Sequence, residues 1–403
     1  MSHCKILYQQ VLQTHSSTDK VRNPISRRPI LPFKETFQTV FSPCDKEMRV
    51  SHLPCRKPSS LPVLVYQGNS CYKDSLLMAL FLRSHHYVDK FFLDRDPATI
   101  PFAFPFPCGK TRDEQIQNVR EIQFALRKLA FYLRFYSLEK RPFLTHVDDY
   151  LNPVLHKYCP SRMALRFMRG EQNDPEEFAQ FLFQLFPIEA RYRGKLQRKM
   201  SYYTADRKQR QGRPSIVYEE VDCIFNLSSQ ILFQFQEGPF FDIDQHMKSM
   251  TEMTTLERGR FTIKQDVLRF VKYPKLFFIK VDRADAIHGF LPLPVLPSLW
   301  IVSAKLHLFA IICKMDREID SGHYVSFLRC EDLWYFYDDM NPNQKLVQVG
   351  KYSKLLRNPV YTSIVLTQST FLMYNQETAF ASTIDLQEIQ RLRSWLQRRS
   401  LRI

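Results

Sequence analysis

Cys71 stands in GNSCYKDSLLMAL, directly ahead of a run that reads as a buried helix. The thiolate is the reactive form of cysteine, and the exposed N–H groups and dipole of a helix start favour it. Gly68 and Asn69 just upstream permit a tight strand-to-helix turn that presents the sulfur. Far downstream, SGHYVSFLRC opens a strand with His323, and LWYFYDDM closes the next strand with Asp338 and Asp339. A hairpin sets the head of one strand beside the tail of its neighbour, so the His323 imidazole and the Asp338 carboxylate can meet. A nucleophile, a base and a group that orients the base make a constellation for covalent catalysis. Strand alternation points Asp339 to the opposite face, which leaves it the second choice. Taken singly, Cys71 reads as a buried structural cysteine and His323 as a solvated strand end. Their conjunction is what raises the catalytic reading.

The elements that must position these residues can be read from periodicity. LPVLVYQGNS is a short strand entering a turn, and KDSLLMALFLRS a buried helix. Gln115 to Phe135 carries apolar residues at helical spacing. DPEEFAQFLFQLF is a helix with Asp174 as N-cap, Pro175 at the first helical position and Glu177 completing a capping box. Residues 190–215 are polar and basic and read as an exposed hairpin or loop. After Pro214 come β-rich runs: SIVYEEVDCIFNL, ILFQFQ, KLFFIKV, LHLFAIICKM, HYVSFLRC, LWYFYDD and SIVLTQSTFLMY. Turn residues separate them, the sign of an antiparallel sheet. FDIDQHMKSMTEM reads as a short helix between them. Helices first and strands later give an α+β class. Residues 1–60 read as a disordered or extended arm, and LQEIQRLRSWLQRR, within 377–403, as a basic amphipathic helix.

Composition sets limits. With 24 Pro against 10 Gly, the chain favours stiff loops over a Gly-rich nucleotide cradle. The net charge of +16 admits an anionic partner, yet no nucleic-acid recognition motif accompanies it. The 9 Cys are irregularly spaced with no C-x-x-C pair, against both a disulfide framework and a zinc ribbon. No apolar run has the length of a signal peptide or a membrane span. A soluble protein of a reducing compartment is expected, cytoplasmic or nuclear.

Five segments resemble, in order, the motifs of the ubiquitin-specific proteases. GNSCYKDSLL resembles their Cys box and GHYVSFLRC…LWYFYDD their His box. QNDPEEFAQFLF resembles the Gln-Asp-x-x-Glu-Phe segment between them. YPKLFFIKVDR and TSIVLTQSTFLMY resemble two further strands, the latter closing the domain at Tyr374. Within the family, NSCYKDS, NDPEEF and LHLFAIIC look closest to the cylindromatosis deubiquitinase branch.

The resemblance implies a papain-like catalytic domain of thumb, palm and fingers over 61–376, the thumb at about 61–187 and fingers and palm at about 188–376. It implies thiol-dependent hydrolysis after the C-terminal glycine of ubiquitin, with Cys71, His323 and Asp338 as the triad. Ubiquitin, polyubiquitin chains and ubiquitinated proteins would be the partners, acting on a monomer with no cofactor and no metal. Asp174 and Glu177 would hold the arginines of the ubiquitin tail, and Gly322 and Tyr324 would line its channel. The chain departs from the family in lacking the paired cysteines of a zinc ribbon. It also has Tyr66 where the family's oxyanion Asn stands, leaving Asn69 as the nearest side-chain amide. Two rival readings remain: a ubiquitin-binding pseudoenzyme, and a basic nucleic-acid or membrane-binding protein with a vestigial protease core.

Overall fold

In a computed structural model of the chain, the helix that opens at Cys71 is buried along its whole length. The described residues are 63–376, apart from 136–145, 161, 169–170, 205–209, 222, 228–249, 257–259, 284–292, 294, 302–303, 316–321 and 342–344. The expected N-terminal arm, the ILFQFQ run and the C-terminal helix candidate lie outside the described residues.

In chain order the helices and strands begin with α1 (Cys71–Phe81), α2 (Arg112–Phe135), α3 (Val147–Tyr158), α4 (Arg162–Met168) and α5 (Pro175–Leu185). Then follow β1 (Gly194–Thr204), β2 (Arg210–Val221), β3 (Ile224–Leu227), β4 (Met250–Leu256), β5 (Arg260–Lys272), β6 (Leu276–Val281), β7 (Ser298–Ile301) and β8 (Ala304–Lys314). The series closes with β9 (Tyr324–Cys330), β10 (Leu333–Tyr337), β11 (Val347–Gly350), α6 (Tyr352–Arg357), α7 (Pro359–Gln368) and β12 (Ser369–Asn375). The class is α+β. No helix among the described residues is long and apolar enough to cross a membrane.

The chain divides into two units, one of Met1–Pro187 with Ile312–Ile364, the other of Ile188–Ile311 with Val365–Ile403. In the first, α1 is apolar on nearly every side, so neighbours must cover all of it. Its C-terminal end is tied by Arg134 of α2, whose Nε donates to the Phe81 carbonyl at 2.9 Å. That bond satisfies one of the carbonyls a helix end leaves open. The same guanidinium grips Asp89 bidentately at 2.7 and 3.0 Å, both side chains fully buried. An ion pair held this way must keep both partners, because removing one strands a charge in the core. At the other flank, Tyr72 packs with Phe167 and Phe178, and Phe181 completes the aromatic cluster. The hairpin of β9 and β10 runs in register from Leu333 opposite Cys330 to Tyr337 opposite Ser326, and β11 pairs with β10.

In the second unit, β2, β1, β5 and β4 form an antiparallel sheet in that order. Pro214 sits on its edge strand, at the irregularity between the Met200–Ser215 and Tyr202–Gln211 pairs, where a missing N–H is tolerated. The other strands run β8, β12, β6, β3, with β7 paired to β8 and β3 parallel to β6. Leu196, Phe270, Phe277 and Phe278 are among its buried side chains.

Two readings need correction. The SIVLTQ part of SIVLTQSTFLMY is helical, and only Ser369–Asn375 is strand. Asn358 Oδ1 caps that helix, accepting from the Val360 and Tyr361 N–H groups, and Pro359 opens it. Ile364, Val365 and Leu366 are all buried, and a continuous apolar run does not distinguish helix from strand. Met250–Leu256 pairs antiparallel with β5, so the helix expected over 241–253 fails at 250–253. Thr251, Thr254 and Thr255 are β-branched and suit the strand. The rest of that helix falls outside the described residues. The 190–215 stretch, read as an exposed hairpin or loop, is a hairpin: it carries all of β1 and the start of β2, paired antiparallel.

Candidate active site

Cys71 is the first residue of α1 and is buried, behind a turn over Gly68–Ser70. Gly68 at φ 49° and Asn69 at φ 67° both occupy the left-handed region, which Gly and Asn tolerate best. The turn is pinned by Ser70, whose N–H donates to the Gln67 carbonyl at 3.1 Å and whose Oγ accepts from the Gln67 N–H at 2.9 Å. Asn69 is bound to Tyr66: the phenol donates to Asn69 Oδ1 at 3.3 Å and accepts from the Asn69 N–H at 3.2 Å. The Tyr66 ring also lies edge-on to His323, centroids 6.5 Å apart. Tyr66 and Asn69 thus form one unit beside the imidazole.

His323 precedes β9 and Asp338 follows β10, so the hairpin brings them together. His323 Nε2 lies 2.7 Å from Asp338 Oδ1. With Nε2 committed to Asp338, Nδ1 is the ring nitrogen left to face Cys71, whose sulfur contributes to the electrostatics of the imidazole. Burial disfavours the imidazolium, but the hydrogen bond to Asp338, the influence of Cys71 and the charges of Asp338 and Asp339 outweigh it, and the pKa rises to about 10. Asp338 Oδ1 accepts in addition from the Met340 N–H at 3.0 Å, which fixes the carboxylate.

Asp339 does not point away. Its Oδ1 stands 3.5 Å from His323 Nε2, and the side chain is fully buried. Alternation fails because β10 ends at Tyr337 and a turn follows, closed by the Asn341 N–H on the Asp338 carbonyl at 3.1 Å. Burial pushes the Asp339 carboxyl up to about 6, against the pull of the His323 charge and of Asp74.

Gln172 is a site residue that the sequence reading misses. Its Nε2 lies 2.8 Å from the Gly322 carbonyl oxygen and 3.9 Å from Cys71 Sγ. The signal is present: Gln172 opens the QNDPEEF segment. Gly322 itself has φ 147°, in a region that favours glycine. Tyr324, the first residue of β9, is buried and its carbonyl accepts from Ser75 Oγ of α1 at 3.3 Å. Burial raises its phenol, with smaller contributions from the charges of Asp174, Cys71 and Glu177. Asp174 caps α5 through its Oδ1, which accepts from the Glu176 N–H at 2.9 Å. The capping box does not close with Glu177. That carboxylate pairs instead with Arg166 of α4 at 3.0 Å.

His323, Asp338 and Asp339 place three potential ligand atoms within 4.8 Å of one another. The direct Nε2–Oδ1 contact engages the ring nitrogen that an ion would need, so the arrangement fits a proton relay better than a metal.

A family model described as ubiquitin carboxyl-terminal hydrolase matches residues 64–374, most of the chain and every residue of this site. The chain belongs to that family. Among curated proteins, no sequence matches it. Among solved structures it is similar to the SAGA DUB module Ubp8/Sgf11/Sus1/Sgf73 bound to monoubiquitin. That match has a TM-score of 0.52 at 13% identity, covering 86% of this chain and 74% of the other. The likeness places this hydrolase in the catalytic fold of the ubiquitin-specific proteases.

Proposed function

We propose that this hydrolase is a cysteine-type deubiquitinase that cleaves amide and isopeptide bonds after the C-terminal glycine of ubiquitin. The observation that carries the reading is the relay from Asp338 through His323 to Cys71, with Gln172 beside the sulfur. An imidazole held protonated at neutral pH supports a thiolate–imidazolium pair. The thiolate attacks the terminal carbonyl carbon. The developing oxyanion is met by N–H groups at the start of α1 and by the Gln172 amide. As the C–N bond breaks, His323 gives its proton to the leaving amine and a thioester remains on Cys71. His323 then takes a proton from water, the hydroxide attacks the thioester, the C–S bond breaks, and the thiolate–imidazolium pair returns.

The tail would enter past Gly322 and Tyr324, with Asp174 and Glu177 of α5 facing its arginines. Among the described residues no two cysteines are joined by a disulfide, which suits a reducing compartment, cytoplasmic or nuclear. Placement near the cylindromatosis deubiquitinase rests on NSCYKDS, NDPEEF and LHLFAIIC alone.

One observation favours a second reading, a ubiquitin-binding protein with weak chemistry. The position of the family's oxyanion Asn holds Tyr66, and the neighbouring Asn69 is bound to that tyrosine. Incubation with a ubiquitin probe bearing a thiol-reactive C-terminus separates the two. A covalent adduct lost in Cys71→Ala supports the enzyme. Tight binding without an adduct supports the second reading. Linear and lysine-linked di-ubiquitins then define the linkage preference.

A further inference from the structure

Asp74 lies one turn into α1, fully buried behind the nucleophile. Ser70 Oγ donates to its Oδ2. Among the described residues, no N–H or O–H group hydrogen-bonds its Oδ1, nor either oxygen of Asp339, although all three atoms are sealed from solvent. The two carboxyl groups lie close enough to act on each other electrostatically. As two carboxylates they would offer only acceptors to one another, and two uncompensated charges in a dry site are strongly disfavoured. The surrounding charges do not relieve this. His323 reaches Asp339 only at 3.5 Å and already serves Asp338, while Lys73 is taken by Asp148, which is itself negative towards Asp74. Tyr337, Tyr72 and Cys71, the other titratable groups felt there, bring no positive charge.

We propose that Asp74 and Asp339 share a single proton, held on Asp74, and that this acid–carboxylate pair is a positioning device that pins the nucleophile helix to the loop carrying Asp338. One proton satisfies the buried Asp74 Oδ1 and gives Asp339 a donor. Burial and the Asp339 charge both raise the Asp74 carboxyl well above its ordinary range, in keeping with this. The consequence for chemistry is geometric. Asp74 stands one helical turn after Cys71, and Asp339 adjoins Asp338. The bond between them therefore sets the spacing between sulfur and imidazole, while His323 keeps two negative neighbours and not three. The kinetic arm of the test rests on the deubiquitinase reading; the other arms do not.

The test uses the full chain with isotope-labelled aspartate carboxyl groups. At neutral pH the infrared difference between wild type and Asp74→Asn should show the C=O stretch of one protonated carboxylic acid, shifted in heavy water. The amide introduced by Asp74→Asn should also replace the donor. With a fluorogenic ubiquitin substrate, Asp74→Asn should keep kcat within about twofold, whereas Asp74→Ala should lower it by about tenfold or more with little change in KM. Thermal melting gives a third reading. A carboxyl pKa raised by folding contributes stability that is full below the unfolded value, about 4, and is lost as pH rises through the folded one. Asp74→Asn lacks that loss, so its melting temperature should gain on wild type as pH rises. No protonated carboxyl in the difference spectrum would overturn the proposal. So would a gap in melting temperature that is flat with pH, or equal damage from the Asn and Ala substitutions.

Discussion

Gln172 Nε2 stands 3.9 Å from Cys71 Sγ while bonded at 2.8 Å to the carbonyl of Gly322, the residue before His323. One amide thus links the Cys71 sulfur to the backbone that leads into His323. Gln172→Ala should lower kcat by roughly 10²–10³, the usual effect of losing one oxyanion donor. Pre-steady-state acylation is the measurement. A change confined to KM would move Gln172 from chemistry to substrate binding.

Cys71→Ala should abolish turnover of ubiquitin conjugates and leave ubiquitin binding intact or tighter, because the thiol contributes to the chemical step more than to affinity. Turnover assays and calorimetric titration with ubiquitin check the two halves separately. Residual turnover at the wild-type rate would end the enzyme reading.

Asp338→Asn should cost about 10²–10⁴ in kcat, because the amide no longer favours the required tautomer. His323→Ala should cost at least as much. Asp339→Asn should cost less than Asp338→Asn, since the contact to Nε2 is 3.5 Å against 2.7 Å. If Asp339→Asn were the more damaging change, the carboxylate that orients His323 has been misassigned.

The pH profile follows from the same contacts. His323 is raised to about 10, so the imidazolium should persist well into the alkaline range. The stability it contributes is full below the unfolded value, about 6.5, and is lost as pH rises through the folded one. Alkaline inactivation should therefore begin near pH 10, and Asp338→Asn should move it lower. Asp339, raised to about 6, should produce an acid limb near that value that vanishes in Asp339→Asn. A profile centred on an ordinary histidine value would refute the coupling.

Arg166 and Glu177 form a partly exposed pair at 3.0 Å, in which the arginine occupies the place proposed for a ubiquitin tail arginine. Arg166→Ala should lower KM for ubiquitin substrates. Neutralising Asp174 and Glu177 together should raise it, and should abolish sensitivity to replacement of the tail arginines. Additive losses in that double-mutant cycle would mean that acids and arginines never meet.

Residues whose role follows from local chain geometry are legible in the sequence. Cys71 announces itself by the Gly68–Asn69 turn and the apolar run behind it. Asp174 is marked by Pro175, and His323 with Asp338 by hairpin arithmetic. Residues placed by the meeting of distant segments are not. Glu177 completes a capping-box pattern, yet Arg166 on another helix outcompetes the local N–H for its carboxylate. Asp339 obeys strand alternation on paper, but the strand ends one residue before Asp338. The helix at Pro359–Gln368 is hidden by its own burial: from Tyr361 to Leu366 every residue is buried, so its apolar residues carry no period.

The segment Ile188–Ile311 interrupts the unit that carries Cys71, His323 and Asp338. The chain leaves that unit after Pro187 and re-enters it at Ile312 along a single strand, β8. The entropy of closing such an excursion grows only logarithmically with its length, by about 0.6 kcal/mol per doubling. Lengthening or trimming the hairpin tips of the excursion should therefore cost the reacting groups almost nothing. Length changes in that excursion leave the spacing of Cys71, His323 and Asp338 to the unit that holds all three.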